Sequence, residues 1–132
     1  MSKNDVITQV NEVNRISSGS EFYGNLRSNA DIRIDGLFEG KINTTGKLVI
    51  GDSASLVGEA VAKSCDIWGS MEGTLMVREY FGLRKSGSFQ GKIACNKVFI
   101  EEGGLFNGSC KIIDEEEFQK NIETQEKSNK ST

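Results

Sequence analysis

The chain of 132 residues contains no histidine and no proline, only three cysteines and a single tryptophan. Without histidine it lacks the commonest general base, the usual activator of a nucleophile and the commonest metal ligand. Without proline every residue keeps its backbone N–H, as strands bonded to neighbours on both sides require. Cys65, Cys95 and Cys110 are odd in number and show none of the close pairing of a metal site or a redox motif, so they read as reduced core residues. No stretch approaches the roughly 18 consecutive apolar residues of a spanning helix, and the N-terminus lacks the basic flank and apolar run of a signal peptide. A phosphate-binding loop and a basic stripe are also missing, which excludes nucleotide-driven assembly and nucleic-acid binding. These absences point to a cytoplasmic protein that is not an enzyme and has no catalytic, metal or cofactor-binding residues.

What is present is a soluble composition, 36% apolar and 27% charged. Residues 16–112 carry 11 Lys+Arg against 11 Asp+Glu, whereas residues 113–132 carry six acids against three lysines. The middle of the chain is neutral and the acidity belongs to the C-terminal end.

The middle also repeats. An apolar-x-Gly-x-apolar unit occurs as FYGNL, FEGKI, LVGEA, MEGTL, FQGKI and FNGSC, with Gly24, Gly40, Gly58, Gly73, Gly91 and Gly108 separated by 16, 18, 15, 18 and 17 residues. That period is too short for a helical-pair repeat. Between the glycines apolar and polar residues alternate as in strands: Ile32 and Ile34, Leu48 and Ile50, Cys65 and Ile67, Val98 and Ile100, with Phe81 and Leu83 around Gly82. Turns of two lengths join the two strands of a unit, and a segment such as NTTG or AKS is the candidate third side. One such unit cannot bury its apolar side alone, but stacked units can.

The spacing therefore predicts an all-β fold, a single-stranded parallel β-helix of about six coils of roughly 17 residues over 16–112. Phe22, Phe38, Leu56, Met71, Phe89 and Phe106 would form one interior column, and Leu26, Ile42, Ala60, Leu75, Ile93 and Cys110 the next. Each repeated glycine would face outward at a bend, and Lys41 would lie over Glu59. An antiparallel meander is the competing arrangement, but hairpins do not require one motif to recur in one orientation. The acids Asp31, Asp35, Glu39, Asp52, Glu59, Asp66 and Glu72 are dispersed among basic residues and read as a solvated face.

A parallel stack ends in two coils with unpaired backbone groups, which must be capped or used. Neither flank reads as a packed cap. Residues 113–132 read as an acidic disordered tail rather than a short terminal helix. Residues 1–15 form an N-terminal tail in which Val6, Ile7, Val10 and Val13 recur at near-helical spacing, either a mobile arm or a short segment touching a membrane or partner. The candidate end contacts are Phe22, Leu26, Phe99, Phe106 and Ile112; Phe106 equally continues the interior column, and the two roles are compatible on a terminal coil. Outward apolar residues Val49, Val57 and Trp68 are the candidates for a lateral or partner-docking surface.

The segments ISSGSEFYGNL, DIRIDGLFEGKI, KLVIGDSASLVGEA and KVFIEEGGLFNGSCKI, in this order and spacing, resemble those of bactofilins, bacterial cytoskeletal polymer proteins. The resemblance implies a triangular, right-handed β-helix that polymerises end to end into filaments without nucleotide. It also implies attachment to the inner face of the cytoplasmic membrane through an N-terminal segment, and a scaffold role localising cell-wall or morphogenetic proteins. The segment YFGLRKSG departs from the regular strand pattern. Two rival functions remain in view. An enzyme on a β-helix would, in the acyltransferase and carbonic anhydrase types, need the histidine that is missing, and a non-polymerising adaptor would differ only in whether its terminal coils are sticky.

Overall fold

The computed structural model describes residues 13–131, with side chains as far as Glu123. Twelve strands alternate between two lengths. The four-residue strands are β1 (Val13–Ile16), β3 (Asp31–Ile34), β5 (Lys47–Ile50), β7 (Ser64–Ile67), β9 (Tyr80–Leu83) and β11 (Lys97–Ile100). The eight-residue strands are β2 (Glu21–Ser28), β4 (Leu37–Thr44), β6 (Ser55–Ala62), β8 (Ser70–Val77), β10 (Ser88–Cys95) and β12 (Leu105–Ile112). Each kind forms its own six-stranded parallel sheet in chain order, so one short and one long strand make a coil and six coils make a solenoid. A helix, α1 (Glu115–Ser131), follows the last coil.

The register is that of the repeat. Phe22, Phe38, Leu56, Met71, Phe89 and Phe106 pair in sequence, and so do the six glycines. Lys41 lies opposite Glu59 as the spacing predicts. Inside, Phe38, Leu56, Ile34, Ile50, Ile67 and Leu83 are completely buried. The aromatic rings of the first column stack where they are adjacent, Phe22 on Phe38 at 4.8 Å and Phe89 on Phe106 at 5.7 Å between centroids. A further column not anticipated from the repeat comprises Ser28, Thr44, Ala62, Val77, Cys95 and Ile112. Its two hydroxyls are satisfied at the corner they occupy: Ser28 Oγ accepts the Ala30 N–H at 3.0 Å and Thr44 Oγ1 accepts the Gly46 N–H at 2.9 Å.

The third side of the coil comes from the long strand bending at its glycine. NTTG and AKS instead form the corner leading to the next short strand. Gly40, Gly58, Gly73, Gly91 and Gly108 have φ between +137° and +152°, and a Cβ on any of them would overlap the carbonyl oxygen of the glycine one coil before. The missing side chain is thus directed along the stack, not outward as the sequence suggests. Gly24, in the first coil, has the same φ of +141° but meets only a Phe22 ring carbon at 3.7 Å.

The turns of the longer kind each close with one hydrogen bond: Ser20 N–H to Ser17 O, Ala54 to Gly51, Gly87 to Arg84 and Gly104 to Glu101. Where a long turn follows a short corner it is tied down by a serine. Ser53 Oγ donates to Asp35 O and Ser86 Oγ to Trp68 O, both at 2.8 Å.

Two boundaries differ from expectation. The solenoid begins at Val13 rather than 16, because Val13–Ile16 pairs residue for residue with Asp31–Ile34. The segment expected to be a disordered tail is instead α1. Asp114 caps it, accepting the Glu117 N–H at 2.8 Å, and burial of Ile113 and Phe118 supplies what the local sequence lacks.

The glycine geometry yields a comparison. Gly73→Ala combines a strained φ, worth roughly 1–3 kcal/mol, with overlap of the adjacent backbone, whereas Gly24→Ala carries the φ strain alone. Thermal unfolding of the two variants should place Gly73→Ala several degrees below Gly24→Ala; equal losses would mean that the overlap is relieved by a shift between coils.

Candidate assembly surfaces

At the C-terminal end the interior columns stop in the open. Val98 and Ile100 are 42% and 46% exposed, although Cys65, Ile67, Phe81 and Leu83, which fill the same slots in earlier coils, are fully buried. Leu105 and Ile112 are also exposed, at 67% and 56%, and Phe106 is half-buried against the core. Cys110 continues the column of Ile93 and is exposed, whereas Cys65 and Cys95 are buried. Burial, followed by its neighbour Cys110, pushes the Cys95 thiol up to about 12. Cys110 is therefore the accessible thiol of the chain.

The N-terminal coil is more polar. Ile16, Phe22 and Leu26 pack partly buried against the core. Beside them the interior slots hold Asn14 and Ser28, joined by a hydrogen bond of 2.7 Å from Asn14 Nδ2 to Ser28 Oγ. Among the described residues no element lies across either end. Of the expected end contacts, Phe22 and Leu26 sit together at one end and Phe106 and Ile112 at the other. Phe99 lies on the terminal coil but on its outer face, its ring 5.3 Å from the Arg84 guanidinium. Val6, Ile7 and Val10 lie outside the described residues, and Val13 is the exposed first residue of β1.

The outer face of the short-strand sheet carries a charge cluster that sequence reading missed. Asp66, expected on a solvated face, is only 4% exposed. Its Oδ1 accepts Arg84 Nε at 3.1 Å and Nη2 at 2.7 Å, and its Oδ2 takes Lys47 Nζ at 2.9 Å and the Tyr80 hydroxyl at 3.1 Å. Arg84 lies over both Trp68 and Phe99, at 5.6 and 5.3 Å from the rings. The irregular strand YFGLRKSG now has a reason: a Cβ on Gly82 would come within 2.6 Å of Asp66 Oδ1. Gly82 clears the seat for the carboxylate. Val49 pairs with Asp66 on this face, so Val49, Trp68 and Phe99 share it. Val57 does not; it stands on the long-strand sheet between Glu39 and Glu72.

On the third flank α1 builds a small second core. Phe118 and Ile113 are buried against Val61 and Met76, with Ala94 and Ile122 at the edge. Val61, Met76 and Ala94 occupy one outward column whose other members are Arg27, Asn43 and Lys111. The signal was available in that column, where polar residues give way to apolar ones only in the middle coils.

No group of three or more metal-ligating side chains occurs among the described residues, and none of their helices is long and apolar enough to cross a membrane. The fold defines a parallel β-solenoid whose apolar columns are left open at one end. A family model of bactofilins, described as polymer-forming cytoskeletal, matches residues 14–111. The chain belongs to the bactofilin family. No match is found among curated proteins or among solved structures.

The Asp66 cluster ties the lateral face to pH. Burial pushes the carboxyl up, but hydrogen bonds and charge from Lys47 and Arg84 outweigh it and hold Asp66 below the usual carboxylate range. A group depressed on folding contributes stability above its unfolded value, about 3.9, and loses it as pH falls through the folded value. Asp66→Asn should therefore lower Tm at pH 7 and leave the variant less sensitive than the parent between pH 5 and pH 3. Parallel Tm-against-pH curves for the two proteins would show that the cluster adds nothing to acid stability.

Proposed function

We propose that the chain is a cytoskeletal subunit that assembles end to end, without nucleotide, into filaments that serve as a scaffold for cell-wall or morphogenetic proteins. Family membership supports a polymer, and one observation carries the choice of surface: Val98 and Ile100 are about half exposed in slots that are fully buried in earlier coils. A second copy against this end would restore their burial, at about 1 kcal/mol for each half-exposed aliphatic side chain. It would also pair the free edges of β11 and β12. The N-terminal end, with Asn14 and Ser28 among its interior residues, offers less apolar surface and is the weaker contact of the two. Contacts at both ends that do not close on themselves extend into a filament. Docking of partners is assigned to the flanks, with the Trp68 and Phe99 face as one candidate. Attachment at the inner face of the membrane is assigned to the segment containing Val6, Ile7 and Val10.

Negative-stain microscopy and pelleting of the purified chain at micromolar concentration, with neither nucleotide nor lipid, should show filaments. Phe106→Arg should remain folded by circular dichroism yet fail to pellet. Cys110 should react readily with a maleimide in that variant and be protected in the assembled parent. A parent chain that stays monomeric or dimeric across salt and concentration would replace the polymer with a non-polymerising adaptor.

A further inference from the structure

The flank that α1 covers is built to receive a helix. Adjacent coils are about 4.8 Å apart and one helical turn rises about 5.4 Å. A helix laid along the stack therefore meets one coil per turn, and Val61, Met76 and Ala94 supply three successive apolar contacts. A groove of about 620 Å³ opens beside Val61, with Phe118, Gln119 and Ile122 of α1 on one wall, Arg27, Lys63 and Arg78 among its other lining residues, and no carboxylate. Lys111 stands at the other end of the same column. The helix that now lies there answers this charge, with Glu115, Glu116 and Glu117 in its first turn.

Among the described side chains its apolar hold is confined to the N-terminal half of the helix. Ile113 and Phe118 are buried, with the Arg78 guanidinium 5.3 Å from the Phe118 ring, and beyond Phe118 only Ile122 of the described apolar side chains packs on the cluster. The Lys111–Glu117 pair, at 3.3 Å, is exposed on both sides. Arg78 Nε lies 3.2 Å from Glu115 Oε2 without the alignment of a hydrogen bond, so that contact is charge attraction alone. Exposed pairs of this kind contribute little. The tether of α1 adds a high effective concentration to these contacts.

We propose that the stripe of Val61, Met76 and Ala94 is a docking site for an acidic amphipathic helix of a partner protein, and that α1 is its intramolecular placeholder. A partner helix with the same acidic first turn and one more apolar residue along the stripe would displace it. Because the site lies on a flank, occupation leaves both ends of the solenoid free. The biological meaning rests on the scaffold reading, but the docking itself does not.

The probe is a fluorescein-labelled peptide of residues 113–131, followed by anisotropy on the full-length chain. The double variant Phe118→Ser, Ile122→Ser, whose own α1 cannot hold the groove, should bind the peptide at least about tenfold more tightly than the parent, because the tethered competitor is removed. Adding Met76→Glu to that variant should abolish the gain, and a peptide with lysine at 115, 116 and 117 should bind more weakly. Circular dichroism should show the solenoid of each variant intact. The proposal is overturned if the double variant binds no better than the parent, if Met76→Glu leaves binding unchanged, or if the lysine peptide binds equally well. Pelleting of the same samples reads assembly separately, so loss of the polymer reading and loss of this one are distinct results.

Discussion

The carbonyl oxygen of one repeated glycine lies where the Cβ of the next coil's residue would be, and the rest of the molecule follows from that contact. At this corner two backbones approach along the stack too closely for any side chain, so Gly40, Gly58, Gly73, Gly91 and Gly108 recur. With φ near +140° each glycine bends an eight-residue strand without breaking its ladder. Residues on both sides of the bend then face the same interior. Phe38 and Ile42 are buried together for this reason, and so are Phe89 and Ile93.

Such a stack has no intrinsic end. Every coil is bonded to two neighbours except the first and the last, and the physics that buries Phe81 and Leu83 leaves Val98 and Ile100 half exposed. Asn14 and Ser28 temper the first coil by satisfying each other within it, whereas the last coil has no such pair among its interior residues. The two ends are thus chemically unequal, and a polymer joined like end to like end would have a strong contact and a weak one. Its concentration dependence would be set by the weak one, at the N-terminal coil.

Much of this was legible in the sequence, because the repeat and the fold have the same period. Six recurrences of one pentapeptide named two of the interior columns and the position of each corner glycine. What stayed hidden depends on contacts between coils. Asp66, Lys47, Tyr80 and Arg84 look like dispersed charges until the register brings them within hydrogen-bonding distance across three successive coils and the corner of one of them. The lack of a side chain at Gly82 looks like an irregularity until the Asp66 carboxylate is seen to lie there. Phe118 and Ile122, alone in a charged segment, have too weak a periodicity to announce a helix. Their seat, Val61 and Met76, is 42 or more residues away in the chain and is recognisable only once those positions are known to face outward.

The geometry separates growth from recruitment. In the proposed end-to-end assembly the ends would be consumed, each added subunit burying apolar columns of its neighbour. The flanks would not be: the Trp68–Arg84–Phe99 face and the α1 groove would repeat once per subunit along such a filament. The Asp66 cluster and the α1 groove both lie away from the open columns, so a change at either alters what the flank presents while leaving Val98 and Ile100 as they are. A solenoid assembled in this way would present many identical binding faces at fixed spacing. The chemistry of the flank, rather than that of the ends, would then decide which proteins gather on it.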